Sequence, residues 1–338
     1  MKTERLKADE QGIARAGELL REGKLVAIPT ETVYGLAANA LDSGAVAKIF
    51  AAKGRPMDNP LIVHIAQPED VLPLVREFPA QARALAEAYW PGPMTMILPK
   101  ADCIPEEVSA GLSTVAVRFP SHPAAQAIIR AAGVPLAAPS ANSSGKPSPT
   151  CAEHVLLDMD GKIDAVLDGG DCGVGVESTV VTLTSERPLL LRPGGITPEQ
   201  LHAVLGDLEI DPAVTHRLAE GQQAISPGMK YKHYAPAADV TILRGTRQAY
   251  LDYVNAHAQP GVFALCFEED EPALRVPFVC YGREEDSSSQ AHLLFDALRL
   301  LDERGAKKVF ARCPSQQGVG LAVYNRLIRA AGFSFLDV

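Results

Sequence analysis

Val134-Pro135-Leu136-Ala137-Ala138-Pro139-Ser140-Ala141-Asn142-Ser143-Ser144-Gly145 is the stretch on which the reading of this chain turns. The apolar run 134–138 reads as a short buried strand, which Pro139 ends. Small residues follow, able to hydrogen-bond without filling space. In an α/β sheet, a loop of this kind at the end of a strand is where ligands gather. Alone, Ser-x-Asn reads most simply as a polar surface turn. It is not alone. Pro29-Thr30-Glu31-Thr32-Val33-Tyr34-Gly35 and Lys53-Gly54-Arg55-Pro56 stand upstream, each also at the end of a strand or helix.

Working outward, apolar runs predict strands over 24–29, 61–65, 94–98, 115–119, 165–167, 179–183 and 189–191. Helices are expected over 11–21, 44–53, 69–76, 79–89 and 122–132, with Ser43 as the N-cap of the second. Thr150 is expected to cap a further helix to about residue 158. Thr197-Pro198-Glu199-Gln200 reads as a capping box opening a helix to residue 205. After Gly206 the periodicity is lost. Residues 207–238 read as a linker that contains Ser-Pro-Gly-Met-Lys-Tyr-Lys-His-Tyr-Ala-Pro at 226–236. From Asp239 strands and helices alternate again, with strands at 240–243, 261–267, 278–281 and 308–312 and helices at 246–257, 288–304 and 319–331. The expectation is a catalytic α/β domain over 1–206 built on a twisted open sheet with a ligand cleft. A linker or lid over 207–238 and a smaller, doubly wound, Rossmann-like α/β domain over 239–338 follow it.

Composition narrows the class. A chain of 338 residues is long for one core. Its six cysteines form no C-x-x-C pair, which argues against a zinc site and a disulfide framework and fits a reducing cytosol. The first ten residues are charged, unlike a secretory signal, and no apolar run approaches the length of a membrane span. A net charge of −9 makes a poor bulk binder of nucleic acid. Neither G-x-x-x-x-G-K-[ST] nor G-x-G-x-x-G occurs. The glycine-rich run 169–175 fits neither spacing, and reads equally as a tight connection or a ligand loop.

Lys53 and Arg55 flank a glycine at an expected helix C-terminus. Cations there suit the helix dipole, but they also make a two-pronged phosphate clamp, a planar fork beside a point charge. His64 in an apolar strand is by default a core histidine with its hydrogen bonds met. Arg118 in the next apolar strand needs an anion, because burying it alone is costly. Glu31 or a substrate carboxylate would serve. No Ser-His-Asp set and no G-x-S-x-G elbow signals a protein nucleophile.

Taken together, PTETVYGL, KGRP with the following Asn59-Pro60-Leu61, Ser140-Ala141-Asn142 and SPGMKYKHY resemble the threonylcarbamoyl-AMP synthase family (YrdC-like), in its longer two-domain form. The resemblance implies an enzyme that joins L-threonine, bicarbonate and ATP into threonylcarbamoyl-AMP and pyrophosphate. Downstream tRNA threonylcarbamoyl-transfer proteins would then place the group on adenosine 37 of tRNA. It implies that Lys53, Arg55, Ser140 and Asn142 surround the nucleotide phosphates as the catalytic set. Asn59, Thr114, Ser148 and Arg192 are implied as further ATP contacts, and the linker's own rings and lysines suggest Tyr231 as another. Thr32, His64, Arg118, Ala138 and Ser178 match the threonine pocket. ATP is then a substrate, and Mg²⁺ rides on its phosphates without a protein metal site. The expected setting is cytoplasmic, with a weak tRNA contact as a further partner and no membrane. The linker's rings and lysines suggest a lid over the cleft. Two rivals remain at this level. A double-stranded RNA-binding module without ATP turnover is disfavoured by net acidity and by the lack of aromatic–basic interleaving. A carbamoyl-transfer domain of the hydrogenase-maturation type is disfavoured by the missing C-x-x-C pairs.

Overall fold

The computed structural model describes residues 2–217 and 234–338. The first part carries strands β1 (Glu4–Lys7), β2 (Val26–Ile28), β3 (Gly35–Asn39), β4 (Ile62–His64), β5 (Met94–Pro99), β6 (Thr114–Arg118), β7 (Leu136–Ala137), β8 (Ala165–Asp168), β9 (Thr179–Thr182), β10 (Leu189–Arg192) and β11 (Glu209–Ile210). Its helices are α1 (Glu10–Arg21), α2 (Ser43–Lys53), α3 (Ala80–Tyr89), α4 (Glu106–Ser109), α5 (Pro123–Ala132), α6 (Ala152–Met159) and α7 (Pro198–Leu205). The second part has β12 (Asp239–Arg244), α8 (Arg247–Ala256), β13 (Val262–Cys266), β14 (Phe278–Cys280), α9 (Ser287–Glu303), β15 (Lys308–Arg312), α10 (Gly320–Ala330) and β16 (Phe335–Asp337).

Among the described residues the first part forms one mixed sheet of eleven strands, in the order β1-β8-β2-β3-β7-β4-β6-β5-β9-β10-β11. Its middle is short and irregular. β7 has two residues and is wedged antiparallel between β3 and β4. Chain that leaves a sheet so early frees its loops to converge, and the loops at 29–35 and 139–145 meet through the Gly35–Ser140 bridge. β4 and β6 run parallel with His64 opposite Arg118. The second part is a wholly parallel five-stranded sheet, β14-β13-β15-β12-β16. Its strands read as continuous apolar runs because helices cover both faces.

The local signals differ in places from the sequence reading. Asp42, not Ser43, caps α2, its carboxylate accepting from the Ala45 amide. A carboxylate at that position also meets the positive helix end. Cys151, not Thr150, is the N-cap of α6 and makes no side-chain cap, while Thr150 contacts His154 instead. The helix expected over 69–76 is a 3₁₀ segment, Pro68–Leu74, with Pro73 inside it removing a backbone donor. β1, β3 and β16 were not foreseen: β1 alternates charges on an exposed edge and lacks the apolar run that marks a strand. β11 pairs with β10, so the first sheet continues beyond Gly206. The capping box at Thr197 is present with both of its bonds. No helix among the described residues is long and apolar enough to cross a membrane.

Candidate active site

The loop at 139–146 is tied down from several sides. The Leu36 amide donates to Pro139 O at 2.7 Å and the Ala141 amide to Tyr34 O at 2.8 Å. Lys53 Nζ donates to the carbonyls of Ser140, at 2.5 Å, and Asn142, at 2.6 Å. The Asn142 amide group donates to the carbonyls of Ser143 and Lys146, both at 2.9 Å, and its Oδ1 accepts from Ser140 Oγ. Gly54 ends α2 in the left-handed region at φ 62°, where glycine alone escapes a steric penalty. That turn sends Lys53 and Arg55 in different directions. The expected two-pronged clamp therefore divides: Lys53 lies under the loop as its organiser, and Arg55 faces a cavity.

That cavity, about 50 Å³ and open to solvent at its mouth, is lined by Thr32, Arg55, Arg118, Ala138, Ser140, Ser178 and Arg192, all foreseen. Thr30, Ile62 and Glu177 also line it and were not foreseen, and Tyr234, the last ring of the suggested lid, lines it too. Glu177 stands beside Ser178, so adjacency to an assigned residue was the signal. Asn59 and Ser148 stand one bond behind the wall. Arg55 Nη2 donates to the Asn59 and Pro60 carbonyls, both at 3.3 Å, and Ser148 Oγ donates to Glu177 Oε1. His64 lies beside Arg118 across the β4–β6 pair. Thr114 opens β6, four residues from Arg118, and lies outside the lining. Tyr231, and the rest of the suggested lid up to His233, lie outside the described residues. The glycine-rich run 169–175 serves as a connection. Gly169 N and Gly170 O bond the Tyr34 hydroxyl, and Val174 N and Gly175 N bond the carbonyls of Glu31 and Thr32.

Charge dominates this space. Arg55, Arg118 and Arg192 are all buried. Burial lowers the pKa of Arg55 and of Arg192 to about 10, so both remain cations at neutral pH. Arg118 has one of the two anions that sequence left open: Glu31 stands at 2.7 Å, as a close charge contact rather than a directed hydrogen bond. Arg118 Nη1 also donates to Thr32 Oγ1 at 2.9 Å. Burial would raise the Glu31 pKa, but the Arg118 charge outweighs it and holds the carboxyl below its usual value. His64 is pushed down to about 3 by burial and by the Arg118 charge, so its ring is neutral, with Nδ1 3.1 Å from Ile62 O. Burial, then the Arg55 charge, push the Lys53 amine well below its usual range. Three arginines face two carboxylates, and the buried Arg55 Nε has no hydrogen-bond partner among the described residues. A buried donor of that kind calls for an acceptor from a ligand. The arginines lie inside a concave pocket and not on an exposed face, which does not suit a duplex-RNA surface.

A buried, net cationic cavity of small hydroxyl and arginine side chains suits small anionic ligands. Comparison with known proteins says which. Residues 18–194 match the Sua5–YciO–YrdC family model, described as "telomere recombination". Residues 196–332 match that of the threonylcarbamoyl-AMP synthase C-terminal domain. The threonylcarbamoyl-AMP synthase of Bacillus subtilis is 48% identical over 334 residues, covering 98% of this chain and 96% of the relative. That of Pyrococcus abyssi is 46% identical over 340 residues, covering 99% and 98%. Among solved structures, P. abyssi Sua5 complexed with L-threonine superposes with a TM-score of 0.92 at 43% identity, covering 100% of both chains. The chain belongs to the threonylcarbamoyl-AMP synthase family, in its two-domain form, and is an adenylate-forming transferase.

Proposed function

We propose that the cavity is where L-threonine, bicarbonate and ATP are joined into threonylcarbamoyl-AMP and pyrophosphate, with residue roles as follows. The observation that carries this is the trio Arg55, Arg118 and Arg192 in one buried space, with a donor of Arg55 unmet among the described residues. Arg118, already bonded to Thr32, receives the threonine carboxylate. Thr32, Ser178 and the neutral His64 are the polar partners for the amine and hydroxyl, and Ala138 packs against the side chain. Arg55 and Ser140, with Lys53 and Asn142 holding the loop, bind the phosphates, and Arg192 and Ser148 flank them. Arg118 and Thr114 sit at opposite ends of β6, about 13 Å apart at strand rise. That length lets a nucleotide extend from the cavity towards Asn59 and Thr114.

In the chemistry, the threonine amine and bicarbonate give an N-carboxylate and water. The new carboxylate oxygen bonds to the α-phosphorus of ATP as the bond to the pyrophosphate oxygen breaks. Positioning and cationic stabilisation supply the acceleration, because no side chain here needs to become a nucleophile. Glu177 in the lining and Glu31 beside Arg118 are each paired with arginine, and among the described residues no group of three His, Cys, Asp or Glu could hold a metal ion. Mg²⁺ would enter as part of the ATP complex, carried by its phosphates. A small-molecule product destined for tRNA-modifying proteins fits a cytoplasmic setting, with direct tRNA contact a minor feature.

Arg118→Gln tests the threonine assignment. The account expects calorimetric threonine affinity to fall by about ten- to a hundred-fold, the loss of a charge-assisted contact of roughly 1.5–3 kcal/mol. Unchanged affinity contradicts it.

A further inference from the structure

Arg326 sits on α10, in the second α/β unit, yet its guanidinium ends against the back of the cavity wall. It is fully buried. Nε donates to Glu177 Oε2 at 2.7 Å, and Nη2 to the Glu177 carbonyl at 3.1 Å. Nη1 donates to the Pro193 carbonyl at 2.9 Å and to Asn325 Oδ1 at 2.8 Å. Its Cζ stands 5.9 Å from the centre of the Tyr234 ring. Glu177 and Tyr234 both line the cavity.

The two backbone acceptors set the geometry. Glu177 precedes Ser178 and Pro193 follows Arg192. Ser178 and Arg192 both line the cavity and bond each other, Arg192 Nε to Ser178 O at 2.9 Å and Nη2 to Ser178 Oγ at 3.0 Å. A single planar fork thus spans the two segments that present these side chains. Such a fork fixes several acceptors in set directions, which a lysine ammonium cannot do. The charge has a second consequence. Glu177 is a buried carboxylate in a space that takes phosphates, and it also holds Ser148 Oγ. Without a partner it would repel an incoming anion and compete for the cavity's own cations.

We propose that Arg326 is a positioning residue for the synthase reaction. From the second unit it clamps the segments carrying Ser178 and Arg192 and neutralises Glu177, so threonine and ATP binding depend on α10. This rests on the reading that Ser178 faces threonine and Arg192 faces ATP. The ordinary alternative is a staple that holds two units together and affects stability alone.

The test compares the full-length parent with Arg326→Gln and Arg326→Lys. Melting midpoints come first, then pyrophosphate-release kinetics and calorimetric threonine titration below all three midpoints. A staple lowers the midpoint and the active fraction, and so kcat, but leaves KM and Kd of the folded molecules alone. A positioning residue moves the constants. Arg326→Gln is expected to raise KM for threonine and for ATP, and Kd for threonine, by about tenfold or more. Arg326→Lys keeps the charge without the fork and should fall between the two. Constants within about twofold of the parent in folded Arg326→Gln overturn the proposal. If Arg326→Gln does not fold, the same criterion applies to Arg326→Lys. A parent that releases no pyrophosphate would fault the reaction assignment instead, and the threonine titration would still read the Arg326 effect.

Discussion

Arg55 is the residue whose environment says most about the reaction. It is buried, its Nη2 reaches two carbonyls only at 3.3 Å, and its Nε has no acceptor among the described residues. Arg55→Ala should therefore weaken ATP use by about ten- to a hundred-fold, at roughly 1.5–3 kcal/mol for a charge-assisted contact, with threonine affinity little changed. Steady-state pyrophosphate release checks this, and a rate within about twofold of the parent contradicts a phosphate role. The need of Arg118 for an anion was legible in sequence, because a guanidinium inside an apolar strand is costly to bury alone. The role of Lys53 was not. Its amine turns under the Ser140–Asn142 loop, a direction set by the left-handed Gly54 and visible only once the chain is folded.

At the scale of elements, the contact of α6 with α9 is a measurable link between the two sheets. His154 and Asp296 face each other at 3.3 Å. Burial alone would lower the His154 pKa, but its bond to the Asp296 carboxylate outweighs that and lifts it to about 9. The charged imidazole is thus favoured in the folded state. Its contribution is complete below about pH 6.5, the ordinary histidine value, and is lost as pH rises through about 9. Asp296 is half exposed, so solvent screens the pair and the effect is small. Melting midpoints of the parent and Asp296→Asn should differ at about pH 6 and converge by about pH 10. A gap that stays constant across that range contradicts the assignment. The same scale shows where sequence patterning runs out. β12, β13, β14 and β15 of the second sheet announce themselves as apolar runs, as do β5 and β6, whereas the short, mostly exposed β16 does not. β1 does not, because its residues Glu4 to Lys7 are mostly exposed and charged, and its place beside β8 is fixed by pairing across 160 residues of chain. The loops of the site were legible as motifs, whereas their convergence depends on β7 being only two residues long.

For the whole molecule, the two sheets do not behave as loosely tethered bodies. Val33 and Val176 of the first part pack into the apolar cluster of the second. Gly175 comes so close to α9 that a Cβ there would lie 2.4 Å from the Cα of His292, so only glycine fits. Arg326–Glu177 and Arg299–Asp158 are buried ion pairs across the same boundary, at 2.7 and 2.9 Å. Separating the parts would strand those charges in apolar surroundings. Scanning calorimetry should accordingly show a single unfolding transition, and two resolved transitions would contradict a shared core. The site is assembled across that boundary as well, since Tyr234 and the cation behind Glu177 both come from beyond β11. We propose that this assembled cavity converts L-threonine, bicarbonate and ATP together. Pyrophosphate release by the full-length protein, with each of the three omitted in turn, tests it most directly. The account predicts release only when all three are present, and release that persists without threonine or without bicarbonate would contradict it.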